Sequence, residues 1–171
     1  STYDYMRFPF KWNKFDSRMN ELLEHISNTE DPNKYNVQWS FLATALNYLD
    51  TANVVSKYSE YKERYPALEY VMNTNWIDVN LNMNPYDSEL HIKYLPQHIL
   101  QEGLERCKSK NLPQNILEDI ESFVNRINVD NKEVDNKIRR LKISTFSVDT
   151  ARKLDHAKHI DPIVTKWLSN V

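Results

Sequence analysis

Residues 36–44 alternate with a period of two. Val37, Trp39, Phe41 and Ala43 lie on one face, and Gln38, Ser40, Leu42 and Thr44 lie on the other. That is the pattern of a half-buried strand. A looser run of the same kind covers 70–83, and a helical stretch separates the two. The order therefore predicts strand–helix–strand, a parallel pair joined by a crossover helix. Such a pair normally belongs to a larger sheet covered on both faces. Nearly everything else reads as helix, so the chain is expected to be a small mixed domain or part of something larger. The expected class is α/β or α+β: a small, mostly parallel sheet of about two to four strands with a helical C-terminal half.

Helical spacing is plain elsewhere. Phe15, Met19, Leu22, Leu23 and Ile26 share a face of a helix over 13–27, with Asn13 as its cap. Asp50 or Thr51 caps the next, whose stripe is Val54, Val55, Tyr58, Tyr61 and Tyr65 and whose end is marked by Pro66. Leu90 and Ile92 alternate with His91 and Lys93, which suggests a short third strand. Pro96 suits the first turn of a helix with Ile99, Leu100, Gly103, Leu104 and Cys107 on its apolar face. Gly103 costs about 1 kcal/mol against alanine there, so a neighbouring backbone is expected close by. Pro113 opens a helix facing Ile116, Ile120, Phe123, Val124 and Ile127 inward, and later stripes indicate two or three more helices. One domain over 1–171 follows, with a strand–helix–strand part at 1–95 and a helical extension at 96–171.

Composition removes function classes. The single glycine excludes the phosphate-cradling and dinucleotide loops, which need several glycines at fixed spacing. The single cysteine excludes a cysteine-ligated iron–sulfur site, a cysteine-rich zinc knot and an internal disulfide. A net charge of −2, from 22 basic and 24 acidic residues, gives no global field toward nucleic acid. The basic run Lys137, Arg139, Arg140 and Lys142 reads as a solvated helix face. No apolar stretch approaches bilayer length and no signal pattern opens the chain, so a soluble, cytoplasmic protein without membrane contact is expected.

Remaining constellations each have a plain reading beside the chemical one. His156 and His159, flanked by Asp155 and Asp161, have helical spacing for a metal, yet nothing completes the ligand set. Asp87, Glu89 and His91 could share a strand face for acid–base work or simply face solvent; His91 and His98 fall on separate elements. Cys107 on an apolar stripe reads as a small buried hydrophobe. Tyr3, Tyr5, Phe8, Phe10 and Trp12, interleaved with Arg7 and Lys11, could stack bases, cover the core or dock against a partner. Ligands of open parallel sheets bind beyond the strands' carboxyl ends, here 44–50 and 80–87. Both loops are asparagine-rich, which is also ordinary turn chemistry.

The order of several segments resembles the middle of a twitch-type radical S-adenosylmethionine protein. The matching pieces are Tyr5-Met6-Arg7-Phe8-Pro9-Phe10-Lys11-Trp12 before a helix, Leu42-Ala43-Thr44-Ala45-Leu46-Asn47-Tyr48-Leu49 at a strand end, Pro85, Leu95-Pro96 before a helix, and Phe146 with Leu154-Asp155 and Lys158. The resemblance implies the back part of a partial (β/α) barrel and makes Arg7, Thr44 and Asn47 the positions that would face a cofactor. The family's three-cysteine cluster motif has no counterpart here, and without a cluster there is no reductive cleavage. No cofactor is therefore expected in this chain; S-adenosylmethionine enters only if an iron–sulfur half lies on another segment. The leading expectation is a non-catalytic binding or assembly module, completed by a protein partner or by self-association. The alternative is the binding half of such a radical enzyme.

Overall fold

Short amphipathic helices build most of this chain, as its sparse glycine and frequent apolar i, i+3, i+4 spacing favour. The computed structural model describes residues 1–7, 9–40, 43–73, 89–110, 112, 114–126 and 131–170. In chain order these form α1 (Thr2–Met6), α2 (Trp12–Ser27), β1 (Asn36–Ser40), α3 (Thr51–Arg64), β2 (Glu69–Asn73), α4 (Gln97–Ser109), α5 (Gln114–Arg126), α6 (Asn131–Arg152) and α7 (Pro162–Ser169), with four short 3-10 turns between them.

The expected α/β or α+β class is overturned. Helices dominate both halves, and the described strands amount to one parallel pair, β1 beside β2, with Asn36 opposite Glu69 and Ser40 opposite Asn73. Among the described residues no further strand extends that ribbon. It is too small to organise a fold, and the architecture is not a partial barrel. The alternating run that pointed to a longer strand stops early. Ala43 and Thr44 are already out of the ladder, and 45–47 form a turn leading into the 3-10 turn Tyr48–Asp50. Ala43 to Leu46 are buried all the same, so the apolar pattern reported burial without reporting a sheet. The proposed third strand is a 3-10 turn, Ile92–Tyr94, capped by the His91 side chain. Residues 74–83 of the second run, with Pro85, Asp87, Phe8, Pro113 and Ile127, lie outside the described residues.

Two apolar cores result. The main one gathers α4 and α5, the buried faces of α6 and α7, and the turns around 43–49 and 92–95. Val55, Ile99, Leu100, Leu141 and Val164 in it are fully enclosed. It crosses residue 95 freely, from Tyr5 to Leu168. The smaller core sits between α2 and α3, where Leu23, Tyr58, Tyr61 and Leu68 are buried and Trp12, Phe15, Met19 and Val37 pack around them.

Gly103 explains itself in the main core. The Tyr48 ring lies directly on it, and a Cβ there would stand 2.6 Å from Tyr48 Cζ and 2.9 Å from its hydroxyl. The close neighbour is a side chain, not the backbone expected from sequence. Tyr48 in turn donates to the Leu100 carbonyl at 2.9 Å, which fixes its ring one turn before the glycine.

α6 is one helix of 22 residues where separate stripes suggested more than one. It ends at Lys153, whose φ of 54° is the one positive value among the described non-glycine residues. The Leu154 amide then reaches back to the Asp149 carbonyl at 3.0 Å, the backbone closure of a left-handed helix cap.

Candidate functional site

Two features converge on the C-terminal half of α6: a buried polar cluster on its inner side and an apolar groove on its outer side. The cluster begins with the reversal after Lys153. It brings His156 back onto α6, so that its Nδ1 lies 2.7 Å from Asp149 Oδ2 and its backbone amide donates to the same oxygen at 3.1 Å. Burial alone would raise the Asp149 carboxyl, but these hydrogen bonds and the nearby imidazole hold it below the ordinary carboxylate range.

α1 closes the cluster from the far end of the sequence. Ser1 caps it through a reciprocal pair with Asp4, a good start for so short a helix. The Tyr5 hydroxyl has one proton and two acceptors in reach, the Thr145 carbonyl at 3.2 Å and the Asp149 carboxylate. With the proton on Thr145, Asp149 Oδ1 is buried without a partner. Burial, then the Asp149 hydrogen bond and charge, push the Tyr5 phenol well above its usual range. Arg152 Nη1 donates to the Tyr5 carbonyl at 3.1 Å, and the Thr2 hydroxyl donates to the His159 carbonyl at 3.0 Å. The Tyr5 and His159 rings lie 6.1 Å apart.

Asp149, Asp155 and His156 each offer one metal-ligating atom within 4.8 Å of the others. The hydrogen bonds account for the same geometry without an ion. His156 Nδ1 is engaged by Asp149, and Asp155 accepts from the Ala157 amide at 3.1 Å as a turn cap. The set suggested by sequence is divided. Asp161 caps α7 and takes the Arg106 guanidinium at 2.6 Å, while His159 turns its ring to Tyr5.

The groove is on the opposite side of the helix. Ile143 and Phe146 are 60 % and 45 % exposed, against near-zero exposure for most apolar residues of the core. With Lys142, Ser147 and Thr150 they line a shallow depression of about 380 Å³. The Phe146 ring stands edge-on to His156 at 5.1 Å, so the buried cluster supports the groove from beneath.

The sequence-derived cofactor positions do not form a comparable site. Thr44 and Asn47 do meet, but they satisfy one another: the Thr44 amide and hydroxyl lie 2.6 and 3.0 Å from Asn47 Oδ1, and the hydroxyl also accepts from the Leu46 amide at 3.3 Å. That is a self-capped turn. Arg7 stands exposed at the end of α1. Glu89 is tied to α6 by Ser144 at 3.0 Å, His91 Nδ1 accepts from the Lys93 amide at 3.0 Å, and His98 is exposed on α4. Cys107 is buried and its thiol is pushed up to about 11, which leaves it inert. Tyr3, Trp12 and Phe15 pack on one another with ring separations of 5.3 to 5.6 Å.

No family model, no curated protein and no solved structure matches the chain. No helix among the described residues is long and apolar enough to cross a membrane. Sequence reasoning missed Asp149 and Ile143. Asp149 is joined to His156 across a helix end, where no periodic pattern operates, whereas Ile143 had a signal: it falls outside the Ile138, Leu141 and Thr145 face.

Proposed function

We propose that this chain is a non-catalytic binding or assembly module that docks a protein partner on the outer face of α6. One observation carries the reading: two large apolar side chains, Ile143 and Phe146, stand one helical turn apart in solvent and line one groove. Burying each further in an interface would contribute up to about 1.5–3 kcal/mol, and such paired anchors are how helical surfaces hold partners. The Asp149–His156 pair supports the groove by fixing the ring beneath Phe146. A cytoplasmic setting belongs to the same proposal.

A photo-cross-linking amino acid placed at Ser147 tests it. In cells it is expected to give adducts of discrete mass that disappear when Ile143→Ser and Phe146→Ser are combined. The same reagent at exposed Lys62 on α3 is expected to give none. Equal adducts from both positions, or none from Ser147, sink the reading.

A further inference from the structure

Resting on that reading, we infer that the partner presents an acidic amphipathic helix to α6. The argument is the charge that frames the apolar pair. From Asn136 to Val148 the helix carries Lys137, Arg139, Arg140 and Lys142 and no carboxylate. Two of these cations are directed elsewhere: Lys137 lies over the Tyr94 ring at 5.8 Å, and both Lys137 and Arg140 act on the Glu89 carboxylate. Arg139 is exposed, one turn before Ile143, and Lys142 lines the groove one turn before Phe146. Arg139, Lys142, Ile143, Phe146 and Thr150 follow the i, i+3, i+4, i+7 spacing of one helical stripe.

The next carboxylate along the helix, Asp149, is turned inward onto His156. The docking stripe is therefore apolar at its centre, cationic toward its N-terminal end and hydroxylic at Ser147 and Thr150. A partner helix with leucine-type side chains on one face and carboxylates along its flank complements all three parts. A lysine-rich helix would place like charges together. A lipid surface would find only two exposed apolar side chains on this stripe, far short of an interfacial helix's apolar face.

The probe is a pair of fluorescent helical peptides of about 18 residues, a length that sustains helix. Both carry leucines on one face; the other face is glutamate and glutamine in one and lysine and glutamine in its counterpart. Anisotropy titration of the full chain is expected to show the acidic peptide binding at least about tenfold tighter, with affinity falling as salt rises. Phe146→Ser should weaken it at least about tenfold, an anchor-sized loss. Arg139→Glu combined with Lys142→Glu should reverse the preference toward the lysine peptide. These positions are exposed or half-buried, and circular dichroism confirms that each variant is folded.

Equal binding of both peptides, or a preference that survives the charge reversal, overturns this inference. If Phe146 still governs binding in that case, the docking face itself stands. Absence of Phe146-dependent binding to either peptide overturns both readings. A Phe146-dependent dimer in sedimentation assigns the face to a second copy, and Phe146-dependent binding to phosphatidylserine vesicles assigns it to a membrane; either result overturns the acidic-helix partner.

Discussion

The two cores of this protein solve the same problem by different chemistry. The main core is aliphatic, drawn from residues 5 to 168, and several of its members are wholly enclosed. The core between α2 and α3 is built on tyrosines whose hydroxyls are latched at its rim. Tyr61 donates to Asp16 at 2.5 Å, Lys57 bridges the same carboxylate at 3.0 Å, and Tyr65 and Arg64 reach Asn20 at 3.3 and 2.6 Å. One region is held by volume and the other by volume plus a polar seam. The second should open first, because fewer buried apolar contacts secure it.

Identical truncations give the largest test of that contrast. Leu100→Ala, at zero exposure in the main core, should cost about 3–5 kcal/mol in chemical denaturation. Leu23→Ala, equally buried but with few enclosed neighbours, should cost about 2–3 kcal/mol because its surroundings can collapse into the space. Equal losses would mean that the two cores melt as one. Gly103→Ala comes next: the Tyr48 ring must move and its bond to Leu100 must break, for a loss of about 1–3 kcal/mol. A stabilised variant would show that the ring is free to turn aside.

Tyr61→Phe removes only the rim bond to Asp16, and the expected loss is about 0.5–1.5 kcal/mol. Its signature is spatial. Amide exchange should quicken in α2 and α3 and leave α4 and α7 unchanged, and uniform acceleration would erase the distinction between the regions. The smallest effect is at acid pH, where both regions carry a depressed carboxylate. Asp16 is held down, against its burial, by Tyr61 and Lys57, and Asp149, likewise against burial, by His156. A lowered folded value means that the stabilisation is fully present above the ordinary value of 3.8 and is lost as pH falls through the folded value. Asp16→Asn should flatten that acid dependence in the α2–α3 exchange signal, and Asp149→Asn in the global transition. An unchanged acid limb in either variant removes that carboxylate from the explanation.

The contrast also explains what could be read beforehand. Apolar periodicity found the inner face of α4 residue by residue, because Ile99, Leu100, Gly103, Leu104 and Cys107 are all buried against aliphatic neighbours. It misjudged α2. The stripe there placed Leu22 inside, yet Leu22 is 51 % exposed. The helix is rotated so that Trp12, Asp16, Asn20 and Leu23 face α3, and two of those four are polar. A pattern that scores hydrophobicity cannot see an interface whose glue is tyrosine hydroxyl to carboxylate and amide. The same limit hid Thr145, a buried polar residue on α6 whose hydroxyl bonds back to the Leu141 carbonyl at 2.9 Å. Of the candidate site, the basic run was visible in sequence. Its pairing with exposed Ile143 and Phe146 required knowing which side of α6 is covered.

The clasp of α1 on the other end of the molecule has a consequence for the order of assembly. Thr2 and Tyr5 find their partners at His159 and Thr145, 157 and 140 residues away. During synthesis the first helix emerges early, while the surface that will receive it is among the last to be made. Until then Tyr5 has nowhere to bury its ring, and closing so long a loop is entropically slow to reward. Seating this helix is therefore expected to be a late step in folding, a buckle fastened after the cores have condensed.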